Sequence, residues 1–111
     1  MLAPTNGKVS GKIENIELTN VGQAFKLGRY PIHFHLSGNV NGSYIRNNAI
    51  HTTFNRGLTV HGVNKLTLQN NVIYKAMGHT IFIEDGVETG NIIEDNLVID
   101  TRESWSLLVI D

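Results

Sequence analysis

Three short stretches open on the same residue at nearly constant spacing: Asn48-Ala49-Ile50-His51, Asn71-Val72-Ile73-Tyr74 and Asn96-Leu97-Val98-Ile99. Their asparagines are 23 and then 25 residues apart. A fourth stretch, Asn15-Ile16-Glu17-Leu18, precedes Asn48 by 33 residues, and this longer gap predicts a loop around Gln23 to Leu27 or Asn39 to Gly42. A second column keeps step with the first. It comprises Ile32-His33-Phe34-His35, Leu58-Thr59-Val60-His61, Ile81-Phe82-Ile83-Glu84 and Leu107-Leu108-Val109-Ile110, at spacings of 26, 23 and 26. Two columns with similar periods mean that each repeat is one turn of a stack, unable to bury its apolar side without its neighbours.

The local chemistry is that of strands. Ile, Val, Thr, Phe and Tyr come in short runs bounded by Gly and Asn, and no long 3.6-residue apolar period exists. Asn6-Gly7 and Asn41-Gly42 read as turns, because Asn and Gly reach left-handed backbone angles at little cost. An antiparallel meander would use the same turns, but has no need to restart with the same side chains every coil. The expected fold is all-β: a right-handed parallel β-helix of about four coils. Residues 1–111 read as a single β-helix segment and a fragment of a larger protein.

Strands of neighbouring coils lie ~4.8 Å apart, so equivalent residues stack. Asn48, Asn71 and Asn96 are expected to form a side-chain amide ladder. In the second column, alternation turns Ile32, Phe34, Leu58, Val60, Ile81 and Ile83 inward. His33, His35, Thr59, His61, Phe82 and Glu84 then face outward.

Composition narrows the partners. Nine Lys and Arg against ten Asp and Glu give a formal charge of −1, which lacks the basic footprint of a nucleic-acid binder. Cysteine is absent, so neither a disulfide framework nor a zinc-thiolate site is available. No apolar run is long enough to span a bilayer, so no membrane contact is expected within the segment. Residues 1–11 lack the layout of a signal peptide.

The run Leu27-Gly28-Arg29-Tyr30-Pro31-Ile32-His33-Phe34-His35-Leu36 resembles the β-helix region shared by fibrocystin-like receptors and the cell-migration-inducing, hyaluronan-binding and hyaluronan-degrading proteins. Further matching stretches are Ile50-His51-Thr52-Thr53-Phe54-Asn55-Arg56, Thr59-Val60-His61-Gly62, Gly78-His79 and Phe82-Ile83-Glu84-Asp85-Gly86, in the family's order. The resemblance implies an extracellular or cell-surface parent with further domains on both sides. It does not transfer an activity, since some members degrade hyaluronan and others have none established.

On the outward face, His35, His61 and Glu84 take equivalent places on three coils and are the catalytic candidates, His35 and His61 as sugar contacts or proton carriers and Glu84 as their partner. Asp85 follows at the bend, and His33 lies alongside. Arg29, Arg56 and His79 precede the same strands and are expected to line one edge, with Phe82 as a stacking surface. Such a strip offers donors to sugar hydroxyls and cations to uronic-acid carboxylates. Glu84 and Asp85, adjacent in a strand, would diverge, which disfavours them as the paired carboxylates of glycoside hydrolysis. The leading expectation is carbohydrate interaction, coupled in the parent to polysaccharide cleavage. The alternative is a structural stalk segment of a receptor. A solvated polar face without ligand is the plainest reading, and a metal site ranks last, because ligands in a flat column rarely converge on one ion. No cofactor is expected.

Elsewhere, His51 and Tyr74 are expected to stack structurally, and Pro31 to open a strand. Trp105 is expected to cover the last coil, and Asn41-Gly42-Ser43 is a sequon of small weight. Unless residues 1–11 and 105–111 act as covers, open strand edges predict end-to-end self-association.

Overall fold

The computed structural model describes residues 9–104. Among these residues eleven strands run in chain order: β1 (Lys12–Glu14), β2 (Glu17–Thr19), β3 (Ile32–Asn39), β4 (Tyr44–Arg46), β5 (Ala49–His51), β6 (Leu58–Asn64), β7 (Thr67–Gln69), β8 (Val72–Tyr74), β9 (Ile81–Ile83), β10 (Ile92–Glu94) and β11 (Leu97–Ile99). They form three sheets ordered β1-β4-β7-β10, β2-β5-β8-β11 and β3-β6-β9. All pairings are parallel, each strand lying against its equivalent one coil away. This is a parallel β-helix with three walls. The fourth stretch of the second column, Leu107 to Ile110, and Trp105 lie outside the described residues.

The bore is filled by columns. Ile13, Ile45, Leu68 and Ile93 stack on one wall, and Leu18, Ile50, Ile73 and Val98 on the next. On the third wall, Ile32, Leu58 and Ile81 stack beside Phe34, Val60 and Ile83. Ile45, Ile50, Leu58, Val60, Leu68 and Ile73 are fully buried, and each such side chain contributes about 1.5–3 kcal/mol through removal from water.

The amide ladder forms as the spacing predicts. Asn48 Nδ2 donates to Asn71 Oδ1, and Asn71 Nδ2 to Asn96 Oδ1, each at 3.0 Å. The same Oδ1 atoms also accept from the backbone N–H of Asn48 and of Asn71. Each Nδ2 further donates to a backbone carbonyl one coil below, at Ile13, Ile45 and Leu68. The ladder therefore satisfies a buried corner that the strands leave open.

Asn15 is not its fourth rung. Glu17 pairs with Ala49, so Ile16 occupies the ladder position and Asn15 aligns with Asn47. Asn15, Asn47, Asn70 and Asp95 all hold φ between 55° and 59°, and residues of this type tolerate that left-handed bend best. Two neighbouring asparagine columns thus do different work: one turns the chain and the other fastens the turn.

The longer first coil has its extra residues mainly between β2 and β3. Residues 20–31 make twelve there, where six suffice in the next two coils, at 52–57 and 75–80. A smaller surplus lies at the irregularity between His35 and Gly38 and in the turn before β4. The long loop folds back on the wall of β3 and β6. Buried Asn55 holds it, donating to the carbonyls of Gln23 and Lys26 at 3.0 and 2.9 Å. At the other end, β10 and β11 expose Ile92, Ile93, Leu97, Val98 and Ile99. Among the described residues no helix is long and apolar enough to cross a membrane.

Candidate functional site

The outward face of the third wall carries the predicted strip. His35 pairs with His61 across β3 and β6, and His33 pairs with Thr59. Thr59 pairs with Phe82 and Val60 with Ile83, so Glu84 follows at the level of His61, where its N–H donates to Val60 O. His35, His61 and Glu84 are therefore brought together as the spacing predicts.

His61 is the centre of the group. Its Nδ1 lies 3.4 Å from Glu84 Oε2, and its Nε2 lies 2.9 Å from Asp85 Oδ2. The two adjacent carboxylates reach opposite nitrogens of one imidazole, so they do not face each other across space for a sugar. An imidazole with a carboxylate on each side can take up, orient and release a proton.

Glu88 fixes this geometry, and the spacing of the columns gives no hint of it. Its Oε1 accepts from the N–H of Gly62 at 2.9 Å and of Asp85 at 3.2 Å, tying the bend after β9 to β6. Burial raises the Glu88 carboxyl, but backbone N–H groups at Gly62, Glu88, Asp85 and Gly86 outweigh that and hold it below its ordinary range.

His33 was expected beside the ladder on an open face, and it is there but only 5% exposed. The long loop covers it. The ring centroids of Tyr30 and His33 are 4.8 Å apart, and His33 Nδ1 donates to the Gly28 carbonyl at 3.1 Å. A carbonyl can only accept, so the proton sits on Nδ1 and Nε2 carries the lone pair. Burial, first, and then repulsion from His35 and His61 outweigh the Gly28 hydrogen bond and lower the pKa of His33 to about 4. The rings of His33 and His61 lie parallel with centroids 6.5 Å apart, and His35 meets both edge-on, at 5.0 and 4.9 Å. One nitrogen from each of the three rings lies within 4.8 Å of the other two, closer than a flat column implies.

Arg56 requires a correction. It was expected to line an edge open to ligand, but it is 1% exposed. Its guanidinium carbon is 4.7 Å from the Tyr30 centroid and 4.1 Å from that of Phe82, and its Nη1 is 3.8 Å from Glu84 Oε2. The wall is built over it, because a planar, weakly hydrated guanidinium packs between aromatic rings. Arg56 thus supports Glu84 from below. Phe82 is corrected with it: its ring is engaged by Arg56 and, at 4.6 Å, by His79, so it is not a free stacking platform. Arg29 and His79 are exposed, as an edge requires. Tyr30 and Asn55 hold the cover and were not singled out from the sequence, although both lie within the stretches that carry the family resemblance.

On another wall His51 and Tyr74 stack with centroids 4.5 Å apart at 2°, as their shared column predicts.

Residues 2–110 match the family described as CEMIP beta-helix. The chain is 47% identical over 106 residues to Fibrocystin-L of Homo sapiens, covering 95% of this chain and 2% of that protein. It is 42% identical over 95 residues to the Cell migration-inducing and hyaluronan-binding protein of Homo sapiens, covering 79% of this chain and 7% of the relative. It is 39% identical over 97 residues to the Cell surface hyaluronidase of Danio rerio, covering 81% of this chain and 7% of the relative. The chain thus spans only a small part of the length of these relatives.

Proposed function

The chain belongs to the CEMIP β-helix family, and from that premise we propose that it is an extracellular module that contacts a hyaluronan-like polysaccharide along the face of His35, His61, Glu84 and Asp85. The observation that carries this reading is the imidazole of His61 held between two carboxylates on a partly open wall. One relative is named as hyaluronan-binding and another as a hyaluronidase, which supports the class of ligand. Half-buried His35 and His61 supply donors for hydroxyls, and exposed Arg29 and His79 supply donors for carboxylates at the rim. In a longer protein carrying these coils, the same group would serve proton transfer in polysaccharide cleavage.

The test is calorimetric titration with hyaluronan oligosaccharides in the presence of chelator. We expect measurable binding that weakens about tenfold in His35→Ala and His61→Ala, the loss of one charge-assisted hydrogen bond. Absence of binding by the wild type, or equal binding by both variants, overturns the reading.

A second reading is a structural segment of a fibrocystin-like cell-surface receptor. The burial of His33 and Arg56 favours it, since both spend their polarity inside the wall.

A further inference from the structure

Three imidazoles from two strands converge beside the covering loop. Tyr30 and the long loop shield His33, while His35 and His61 remain half-buried next to it. The Nδ1 proton of His33 is committed to Gly28. Its Nε2 is buried and has no hydrogen-bond partner among the described residues. A buried lone pair without a donor is costly, about 1–3 kcal/mol, and it lies in a cluster whose other two members also offer nitrogen lone pairs. One nitrogen from each of the three rings falls within 4.8 Å of the other two.

We propose that His33, His35 and His61 form a binding site for a divalent transition-metal ion of the zinc type, with a fourth position open to water or to an oxygen of a ligand. Three neutral imidazoles select such ions over magnesium or calcium, which prefer oxygen. Zinc–nitrogen bonds of about 2.0–2.1 Å in a tetrahedron place ligand nitrogens roughly 3.3 Å apart. The remaining distance, at most 4.8 Å, is to be closed by side-chain rotation at half-buried His35 and His61.

The surroundings match a metal site beyond the three nitrogens. His33 is oriented by a backbone carbonyl on its far nitrogen, the usual outer support of a ligating imidazole. Whichever nitrogen of His61 meets the ion, the other faces a carboxylate, Glu84 or Asp85. Those two negative charges outweigh the single Arg56 guanidinium nearby, so the local charge favours a cation. Asp85, on the exposed bend, is placed to reach the ion or its water.

The experiment is titration of the metal-stripped chain, free of any polyhistidine tag, with Co²⁺ alone, read by visible absorption, followed by displacement with Zn²⁺. One equivalent is expected to bind with a dissociation constant of about 1 μM or below and to give the intense bands of a four-coordinate nitrogen-rich site. His61→Gln and His35→Ala, both at half-buried positions, are expected to weaken binding at least about tenfold with unchanged circular dichroism. His33→Gln should do the same, and if that variant fails to fold the other two carry the test. Binding weaker than about 1 mM, octahedral spectra, or variants that bind like the wild type overturn the proposal. No sugar enters this experiment, so its failure leaves the polysaccharide reading standing, and the chelated glycan titration can fail without touching the metal site.

Discussion

Arg56 lies over the ring of Phe82, its guanidinium carbon 4.1 Å from the ring centroid, with almost no contact with solvent. A full positive charge is thereby placed beneath a wall that looks, in sequence, like an open polar strip. Its Nη1 lies 3.8 Å from Glu84 Oε2. Arg56→Lys keeps the charge but loses the plane that fits between two rings. We expect it to lower unfolding free energy by roughly 2–3 kcal/mol, an effect of the size found for disturbed buried charges. Urea denaturation checks this, and a change below about 0.5 kcal/mol would show the stacking to be incidental.

The asparagine ladder predicts a gradient. Asn71→Ala removes partners from Asn48 and Asn96 and from the Ile45 carbonyl, all in the middle of the stack. It should cost about 2–4 kcal/mol, because buried backbone groups are left unsatisfied. Asn96→Ala, in the half-exposed fourth coil, should cost about half as much. Equal losses in parallel denaturation curves would mean that the ladder does not act through burial.

Stability should depend on His33. Its folded pKa of about 4 lies below the ordinary 6.5, so the unfolded chain binds a proton more readily than the folded one between those values. The contribution is therefore fully present above pH 6.5 and is lost as pH falls toward 4, by up to about 3 kcal/mol. Denaturation midpoints of chelator-treated protein measured from pH 7 to pH 4 test this. His33→Gln should flatten the slope, and an unchanged slope in that variant would assign it elsewhere.

The apolar side chains that β10 and β11 leave exposed among the described residues predict association. Ile93 and Val98 point along the core columns, yet each is 43% exposed, and β10 and β11 are edge strands of their sheets. Sedimentation should show a mass that rises with concentration, and Val98→Lys should reduce it. A monomer at every concentration would overturn this expectation.

The stacking of coils was legible because it is written twice, once in the spacing of Asn48, Asn71 and Asn96 and once in the alternation around His35, His61 and Glu84. Asn15 was misplaced by one residue for a simple reason. Asn47 and Asn70 stand beside the ladder residues, and a single Asn does not say which of the two columns it joins. The pairing of Glu17 with Ala49 decides it. The facing of the third wall was also legible, but its burial was not. Alternation tells which way Thr59 and His33 point relative to a sheet, and chain order puts Arg56 just before a strand, but neither says whether another segment lies on top of them. That depends on where residues 20–31 fold, and on Asn55 holding them there.

Because one residue in a left-handed conformation makes the bend between the first two walls in every coil, that corner tolerates no change of length: a single deletion would turn the following side chains inside out. The seam between the second and third walls is different, since it accepts twelve residues in the first coil and six in the next two. Variety in what such a solenoid recognises can therefore accumulate along that seam, directly above the imidazoles, while the rest of the cylinder stays the same.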